Sequence, residues 1–457
     1  MKPQHHIIYL LSLLLLLLSG CVSDSLTTQP VTLSFSTDTL RLGDVWTGEL
    51  SPTATLRVYN PASKGVTLSA VEVVGADADG VVLNIDGSST FSPLDIRGSD
   101  SIFILAAVNL SSPGSVDAAL RLTVNGQVSQ LPISATAVEA QTLTSPHFAR
   151  SATLSGNVRI FGELTVGEGA ELTLAPGTTL WMHSGAGITL SPLSSLTSEA
   201  TPEQPVVIRG DRTGFVAADI PYTVMSGQWR GITLASHSSL SATCLSVLNP
   251  EQGIALGEEA TARLVNCRVS NSAASLITLA PGSSLLAAGC EFAEAADALL
   301  SFDDASAELY RCTLANNYLF AIPSSTLLAG TPREFTATAS IIYSPGAELL
   351  PGFGGTFGQC LFGSKGSDDT SFISCLWATD PMFMLDLTTY TFDYRLDPAS
   401  PARLQIGSEA VACGGAPGGC DYLVNPVRSA GKTKNYQLTT DRHGTPAPPI
   451  PPLGAYN

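Results

Sequence analysis

Pairs of apolar residues separated by one polar or small residue recur along residues 157–320. In the first part the pairs stand eight residues apart, at Leu164/Val166, Leu172/Leu174, Leu180/Met182 and Ile188/Leu190, with Leu196 next. Alternation with a period of two predicts short β-strands. Small and turn-forming residues fill the gaps at 167–169, 175–177 and 184–187. Such residues let an extended chain turn sharply between strands.

A longer period is carried by four cysteines. Cys244, Cys267, Cys290 and Cys312 follow one another at steps of 23, 23 and 22 residues. About three eight-residue units make one such step, so both periods fit a chain that coils through three strands per turn. We therefore predict an all-β solenoid, a parallel β-helix in which neighbouring coils share one apolar interior.

Phasing the coils on the cysteines tests this prediction. In residues 267–269, 290–292 and 312–314 the side chains alternate inward, outward, inward. After Cys244 the branched residue, Val247, comes three positions later instead of two. We expect a bulge or a one-residue slip at Cys244. Stacking of outward positions places Arg268 beside Glu291 as an exposed ion pair, an interaction worth about 0–1 kcal/mol. The four thiols are interpreted as reduced core residues, and bridges between adjacent coils are the alternative.

Residues 31–139 carry a different pattern. Alternating runs such as 54–60, 101–105 and 119–124 lie between turns at Asn60-Pro61 and Asn125-Gly126. About seven strands in this length predict an immunoglobulin-like β-sandwich. Residues 43–45, 56–61 and 130–135 resemble bacterial domains of the Hydin and abnormal-spindle type. That resemblance implies a spacer or adhesion module without a catalytic set.

Composition narrows the function classes. The chain has 457 residues, a formal net charge of -17 and only 13% charged residues. This balance argues against a nucleic-acid partner and against a basic membrane-binding surface. The 41 glycines and 29 prolines favour turn-rich β structure over helices. No cofactor is predicted.

The N-terminus predicts a lipid anchor. Lys2 precedes an apolar run, residues 7–18, that is too short to span a bilayer, and Leu18-Ser19-Gly20-Cys21 follows. This end resembles a bacterial lipobox, which implies a signal peptide at 1–20, lipidation of Cys21 and a linker to residue 30. An ordinary secretory signal is the alternative. Asp24 resembles the acidic export signals of surface lipoproteins in Bacteroidota, but one acidic residue does not decide the export. From the lipobox we expect an outer-membrane, lipid-anchored protein at the cell surface.

The remaining cysteines lie in a compartment that permits disulfides. Cys413 and Cys420 close a glycine-rich loop, and Cys360 and Cys375 could pair across a hairpin-like return. A metal site is not predicted, because neither paired Cys-x-x-Cys spacing nor a neighbouring histidine accompanies the cysteines.

After a predicted linker at 140–151, residues 150–457 carry further motifs. They lie at 206–212, 229–232, 312–316, 380–383, 400–402 and 454–456. In their order they resemble the right-handed parallel β-helix lipoproteins of Bacteroidota. The resemblance implies a right-handed solenoid with a C-terminal capping segment. The closing residues depart from the family, since Pro452-Leu453 precedes the last motif and Asn457 follows it, which puts the way the cap is held in doubt.

Parallel β-helices include lyases, hydrolases and epimerases of acidic polysaccharides, so acidic clusters were considered as catalytic sites. Glu258-Glu259 and Asp303-Asp304 occupy related positions, but the coil between them has Pro281-Gly282 there, and we interpret both pairs as solvated turns. Asp211-Arg212 beside Trp229 could form a sugar-stacking platform or a structural clasp. The scattered histidines indicate no catalytic base.

The function that these patterns favour is binding. We expect a monomeric, lipid-anchored envelope protein that binds glycan or a surface protein through its solenoid, with Asp211, Arg212, Tyr222, Trp229 and Tyr318 as contact residues. A polysaccharide lyase or hydrolase is the first alternative, and a structural envelope component is the second. Three or more acidic side chains in one groove would favour catalysis.

Overall fold

The computed structural model describes residues 25–217, 220–321, 326–403, 440–446 and 453–456. The chain divides into two compact units, Met1–Glu139 and Ala140–Asn457. The signal segment, Cys21, Cys413 and Cys420 lie outside the described residues, so their predicted roles stay predictions. Within the described part, no helix combines the length and apolarity needed to cross a membrane.

The first unit contains two β-sheets around one apolar core. One sheet orders its strands Ser34–Phe35, Ala54–Tyr59, Ser101–Val108 and Val81–Ile85, all antiparallel. The other orders Leu40–Trp46, Gln127–Val138, Ala118–Val124, Val66–Val74 and Leu94–Ile96, with Gly114–Ser115 beside the second of these. A 3₁₀ turn, Ala78–Gly80, precedes Val81–Ile85. Alternate residues of each long strand, such as Leu56 and Val58, are buried. The immunoglobulin-like class of this sandwich stays a prediction.

The second unit is a parallel β-helix, as the two periods predicted. Its first face is a ten-stranded parallel sheet. The strands in spatial order are Gln141–Thr144, Asn157–Phe161, Thr179–Met182, Val206–Gly210, Leu245–Leu248, Arg268–Ser272, Glu291–Ala295, Thr313–Ala315, Ile341–Tyr343 and Leu361–Phe362.

The other two faces belong to one sheet, because the long strand Leu300–Tyr310 runs through both. The second face stacks His147–Phe148, Glu163–Val166, Gly187–Leu190, Ile232–Leu234, Ile254–Leu256 and Ile277–Leu279. The third stacks Ala152–Leu154, Glu171–Leu174, Ser195–Glu199, Ser239–Thr243, Thr261–Val265 and Ser284–Ala288. Beyond the shared strand, Leu328–Thr338 again runs through both faces, and Thr356–Gly358 and Phe372–Ile373 continue the third.

Two short elements lie outside the faces. The loop after Val206–Gly210 forms a hairpin, Phe215–Ala217 with Ile220–Pro221, and a 3₁₀ turn, Tyr222–Val224. A last 3₁₀ turn is Pro401–Arg403. We call residues 211–228 the excursion.

The apolar pairs that set the short period all point inward. Leu164, Leu172, Leu180 and Ile188 are at most 1% exposed. Each pairs in register with the equivalent residue one coil on, for example Leu164 with Ile188. The eight-residue prediction is therefore confirmed by parallel pairing between coils.

The cysteines mark the corner that leads into the first face. At this corner the residue just before the inward thiol or hydroxyl has a left-handed backbone. Examples are Asn266, Arg311 and Gln359, with φ of 52°, 48° and 53°. The next residue turns inward, and its thiol donates to the carbonyl two residues back, as Cys290 does to Ala288. Ser340 does the same with its hydroxyl, to Thr338 at 2.9 Å. Each of these carbonyls also accepts a backbone N–H from the preceding coil, as Ala288 O does from Asn266 at 2.9 Å, so the thiol is a second donor to the same oxygen.

The slip expected at Cys244 is present. Leu245 stacks with Cys267, since Ser246 pairs with Arg268, and Cys244 takes the left-handed position with φ of 51°. Cys244, Cys267, Cys290 and Cys312 are free and buried, which agrees with the first of the two interpretations.

One boundary prediction and one disulfide prediction are wrong. The segment taken as a linker, 140–151, already contains solenoid strands: Gln141–Thr144 pairs with Asn157–Phe161 and His147–Phe148 with Glu163–Val166. This first coil has a neighbour on one side only, so its sequence shows a weaker repeat. Cys360 and Cys375 are also not joined; both are free, and their thiols donate to the carbonyls of Ala337 and Phe357. They continue the inward thiol row, because Leu361 and Leu376 form the next bridge.

Candidate functional site

Small residues on the outside of the first face let other parts of the chain cover it. Ala293 and Ala315 point outward and are fully buried beneath Tyr394, Ala455 and Tyr456. Gly454 donates its backbone N–H to Ala339, and Ala455 donates to Thr313 Oγ1. The closing segment thus lies along the outside of the face. We call residues 383–396 together with 453–456 the cover.

A row of left-handed residues ends successive strands of this face. Asn249, Asn271 and Glu294 have φ of 62°, 62° and 63° and take the same position in three consecutive coils. Asparagine tolerates this conformation better than most residues, because its short polar side chain bonds locally. Glutamate adopts it less readily, and Glu259, with φ of 56°, is another example at a turn of this solenoid. We call these three residues the amide row.

The amide row opens into a pocket between the excursion and the cover. The cavity has a volume of about 210 Å³. Its polar lining comprises Asn249, Arg268, Ser270, Asn271 and Glu294, with Thr223 of the excursion. Its apolar lining comprises Val224, Leu248, Leu319, Phe320, Tyr390 and Phe392. A lining that combines a few polar groups with apolar side chains is shared by small-molecule sites.

Glu294 is the most perturbed acid at this site. Its carboxyl accepts a short hydrogen bond from the Tyr394 hydroxyl, and the Asn317 backbone N–H donates to its Oε1 at 3.3 Å. Burial raises the pKa of the Glu294 carboxyl to about 7, against these hydrogen bonds and the charge of Arg268, which lower it. The nearby charge of Glu291 raises it further. Glu294 therefore changes its protonation near neutral pH.

A second acid is neutralised under the cover. Glu291 Oε1 lies 2.7 Å from Arg268 Nε, and its other oxygen lies 3.6 Å from Arg442 Nη1 and accepts a short hydrogen bond from Tyr456. The predicted pairing of Arg268 with Glu291 is confirmed, but its predicted exposure is wrong, because the Glu291 side chain is only 2% exposed. The strand pattern shows which residues stack but not that Tyr456, 165 residues later, covers them.

Two polar atoms at the pocket have no hydrogen-bond partner among the described residues. They are Asn271 Nδ2 and Glu294 Oε2. By contrast, the Asn249 amide donates to Thr223 O at 2.8 Å and thereby holds the excursion. A buried polar group without a partner costs about 1–3 kcal/mol in protein mutational data. Asn271 Nδ2 and Glu294 Oε2 are themselves buried, so they add to the cost of folding this corner.

The residues predicted as a sugar platform do not form one surface. Asp211 is buried, and its Oδ2 lies 3.0 Å from Arg159 Nη2 and 2.9 Å from His183 Nδ1. This arrangement fits the structural-clasp interpretation. Arg212 is exposed, with its guanidinium 5.9 Å from the centre of the Tyr222 ring. The backbone carbonyl of Tyr222 accepts from the Gln228 amide, which fixes the excursion.

Trp229 is the clearest miss among the predicted contact residues. Its side chain is 1% exposed and lies in the solenoid core, where its indole N–H donates to Leu248 O at 2.8 Å. Trp229 therefore cannot stack on a ligand at the surface. The sequence predicts a contact there because Trp229 directly follows the excursion. The neighbouring residue must be a glycine. Gly231 has φ of 117°, and a Cβ there would lie 1.7 Å from Gln252 O.

Tyr318 lies near the pocket without lining it. Its hydroxyl shares a 2.6 Å hydrogen bond with Ser226 Oγ, and its ring makes an edge contact with Phe320, which does line the pocket. Its place is therefore that of a support for Phe320 and for the excursion.

The acidic pairs weighed as catalytic sites stand at a corner between the second and third faces. Glu259 and Asp304 are left-handed, and Gly282 occupies the same position in the coil between them. Asp304 is 61% exposed and pairs with Arg333 at 2.7 Å. The solvated-turn interpretation fits this geometry. Across the part of the chain that the structure describes, no three His, Cys, Asp or Glu side chains group to hold a metal ion.

Sequence reasoning overlooked the amide row. Its signal is present, since Asn249, Asn271 and Glu294 are 22 and 23 residues apart, the same steps as the cysteines. The change from Asn to Glu hides the row from a search for identical residues. Tyr390 and Phe392 of the cover carry no repeat signal at all.

A second, shallower groove crosses the outside of the second face. Arg230 pairs with Glu163 above Gly187, and Thr189 donates to the same carboxylate. Its cavity is about 290 Å³. The polar groups named here bond to one another, which distinguishes this groove from the pocket.

Comparison with known proteins leaves the family open. No protein-family model matches the chain, and no curated protein matches its sequence significantly. Among solved structures it is similar to a protein of unknown function from Porphyromonas gingivalis W83, with 14% identity and a TM-score of 0.19, over 26% of this chain and 50% of that one. It is also similar to a family 123 glycoside hydrolase from Clostridium perfringens, described for glycolipid glycan hydrolysis. That match has 9% identity and a TM-score of 0.20, over 28% and 30% of the two chains. The chain thus spans half or less of these distant neighbours.

Proposed function

We propose that the protein is a lipid-anchored envelope protein of the Bacteroidota type whose solenoid binds a glycan in the pocket beside the amide row. The observation that carries the proposal is a cavity of about 210 Å³ lined both by polar side chains, such as Asn249 and Asn271, and by the rings of Phe320, Tyr390 and Phe392.

The lining supports a sugar ligand. Phe320, Tyr390 and Phe392 offer aromatic surface for the apolar face of a pyranose ring. Aromatic side chains together with a few polar groups are common in small-molecule binding sites. Amide and carboxyl groups beside them offer directional hydrogen bonds to hydroxyl groups. The rigid stacked strands hold these groups in place before binding, which lowers the entropic cost of association.

The test is a binding screen on a glycan array, followed by titration calorimetry with the best ligand. We expect loss of at least ten-fold in affinity for Phe320→Ala, because the exposed ring is removed from the pocket wall. Leu193→Ala, at an exposed corner position outside the pocket, is the matched control and should bind as the natural protein does. Equal binding by both variants would refute the pocket as the site.

The anchor is tested separately. If Cys21 receives the lipid, the protein labels with radioactive palmitate in growing cells and partitions into detergent. Cys21→Ala should abolish both without changing glycan binding, because the pocket lies in the second unit. Labelling that persists in this variant would show that Cys21 is not lipidated.

A hydrolase is a second candidate because burial raises the pKa of Glu294 to about 7, in the range that suits a general acid. Glycoside hydrolysis usually requires a second carboxylate opposite the first, and Glu291 is held by Arg268, Arg442 and Tyr456. Incubation of the bound glycan with the protein, followed by a reducing-end assay, separates the two functions. If the natural protein produces new reducing ends and the Glu294→Gln variant does not, the protein is a hydrolase and not only a binding protein.

A further inference from the structure

The cover contains a hairpin, residues 383–396, whose base is fixed by apolar contacts. Phe383 pairs with Leu396 across the hairpin. Leu396 belongs to a buried apolar cluster with Ile341 and Leu361 of the first face, and Phe383 packs against this cluster. Apolar packing does not depend on protonation, so the attachment of the base does not change with pH.

The tip of the hairpin, residues 384–395, makes its hydrogen bonds to the solenoid through one hydroxyl group. The Tyr394 hydroxyl donates a short hydrogen bond to the Glu294 carboxyl and accepts one from Asn317 Nδ2 at 3.1 Å. Within the part of the chain that the structure describes, the other hydrogen bonds of the tip run between residues of the hairpin itself. The polar attachment of the tip therefore depends on the state of Glu294.

The Glu294 carboxyl is buried where the tip meets the first face. The residue is 4% exposed. Its Oε1 accepts from the Tyr394 hydroxyl and from the Asn317 backbone N–H, whereas its Oε2 has no hydrogen-bond partner among the described residues. An ionised carboxylate carries its charge on both oxygens, so this site solvates only half of the ion.

We propose that the tip of the hairpin opens and closes with pH: it stays on the first face while Glu294 carries a proton and lifts from it when Glu294 ionises. Phe383 and Leu396 at the base act as the hinge. This inference goes beyond the proposed function, because it concerns the movement of the cover and requires no sugar in the pocket.

The sign follows from the proton affinity of the two states. Burial raises the pKa of the Glu294 carboxyl to about 7, although the hydrogen bonds from Tyr394 and Asn317 and the charge of Arg268 lower it. With the tip lifted, the carboxyl meets water and titrates near its ordinary pKa of 4.5. The closed state thus binds more protons, and its advantage is fully present below about pH 4.5 and is lost as pH rises through about 7.

The arginines and tyrosines around Glu294 keep their protonation over this range. Arg268 is paired with Glu291, and Arg442 lies near the same carboxylate. Arginine stays charged in proteins. The Tyr394 hydroxyl remains a donor, because burial raises its pKa well above 10.

Two further titratable groups lie near the hairpin. His443 stacks on the Tyr456 ring, and burial lowers the pKa of its imidazole from 6.5, so His443 loses its charge before Glu294 does. Asp393 pairs with Arg395 within the hairpin; against the effect of burial, the hydrogen bonds from Arg395 lower the pKa of Asp393 from 3.8. Neither group changes its charge as pH rises through 7.

Opening of the tip changes the pocket. Tyr390 and Phe392 belong to the tip and form part of the pocket lining, whereas Asn249 and Asn271 belong to the coils. The lifted tip takes two of the aromatic rings away and leaves the polar residues on the solenoid. Only the closed state has the complete lining.

Hydrogen exchange followed by mass spectrometry tests the proposal on the full-length protein in detergent, without a ligand. A lone two-stranded hairpin is marginally stable in water, so amides of residues 383–396 exchange once the tip lifts. After correction for intrinsic exchange, we expect their protection to fall on the order of 100-fold between pH 4.5 and 8, from the pKa difference between the two states. In Glu294→Gln, which cannot ionise, protection should not depend on pH.

Residues 187–199, on the second and third faces, are the internal control and should keep their protection in both proteins. Protection of the hairpin that is equal at the two pH values in the natural protein would overturn the proposal, even if Glu294→Gln does not fold. The same decline in Glu294→Gln would overturn it as well, because another group would then be responsible. A loss of sugar binding leaves this test unaffected, so the two proposals fail separately.

A second variant tests the attachment itself. Tyr394→Phe keeps the ring but removes the hydroxyl, so both hydrogen bonds of the tip to the solenoid are lost. We expect exchange of residues 383–396 to be about ten-fold faster at pH 4.5 than in the natural protein. Unchanged exchange at this pH would show that the Tyr394 hydroxyl does not hold the tip, and would contradict the proposal.

Discussion

The first face carries two rows of residues that repeat once per coil and differ in what their side chains contact. The inward thiol row, which includes Cys267, Cys290 and Cys312, lies one residue after a left-handed bend. Each of these thiols donates to a carbonyl two residues back. The amide row lies at the other end of the same strands and points outward, and two of its polar atoms have no partner among the described residues. The same backbone repeat therefore builds one row whose polar atoms are hydrogen-bonded and one row in which only Asn249 has its amide donor paired, with Thr223 O.

The largest effect is expected inside the coil. Phe292, two residues beyond Cys290, is fully buried. Phe292→Ala should lower the free energy of unfolding by about 3–5 kcal/mol, because neighbouring coils collapse only partly into the cavity. Urea unfolding followed by circular dichroism measures it. Thr278→Ala, on an exposed outward position, should change stability by less than about 0.5 kcal/mol. Similar losses of stability for both variants would contradict the claim that buried inward residues, and not outward ones, hold the coils together.

The amide row should make stability depend on pH. Glu294 holds its proton up to about pH 7 in the folded protein, whereas in the unfolded chain the same carboxyl titrates at its ordinary pKa of 4.5. Between these values the folded state binds more protons at Glu294, so the stability that this carboxyl contributes is fully present below about pH 4.5 and is lost as pH rises through about 7. The loss is on the order of 3 kcal/mol.

The control for this pH dependence is Glu294→Gln, which cannot titrate. Unfolding curves between pH 4.5 and 7.5 should show a smaller decline for this variant than for the natural protein. Parallel declines would show that the buried carboxyl of Glu294 is not responsible.

In the thiol row, replacing a cysteine by serine should lower the free energy of unfolding less than replacing it by alanine. Cys290→Ala loses the sulfur volume and the bond to Ala288 O, at a cost of about 1–2 kcal/mol. Cys290→Ser should cost less than about 1 kcal/mol, because Ser340 already occupies the same row and donates to Thr338 O. Urea unfolding compares the two variants. A serine that destabilises more than alanine would show that the row requires an apolar residue.

The smallest effect concerns chemical reactivity and leaves stability unchanged. Burial raises the pKa of the Cys267 and Cys290 thiols well above 9, and they should not react with iodoacetamide in the folded protein. Cys375 is only partly buried, so it should react first, although burial raises its pKa as well. Peptide mass spectrometry measures the order. Early labelling of Cys290 would contradict the buried row.

Other parts of the molecule show which predictions depend on periodicity. Leu164, Leu172 and Leu180 were placed in the core by alternation alone, because parallel coils force equivalent residues to stack. Cys360 and Cys375 were paired wrongly, since their separation suits a hairpin as well as adjacent coils. Trp229 was taken as a surface contact because no repeat shows which way its side chain points.

The sequence by itself determined the coil, its length and the inward positions, because every coil repeats the same backbone and buries its apolar residues against the next. Only the tertiary structure decided what lies outside the first face. Tyr394 and Tyr456 reach Glu294 and Glu291 from 100 and 165 residues away, and such contacts leave no period in the chain. The pocket includes Tyr390 and Phe392 of that covering segment in its lining, so it could be recognised only after the chain had been folded.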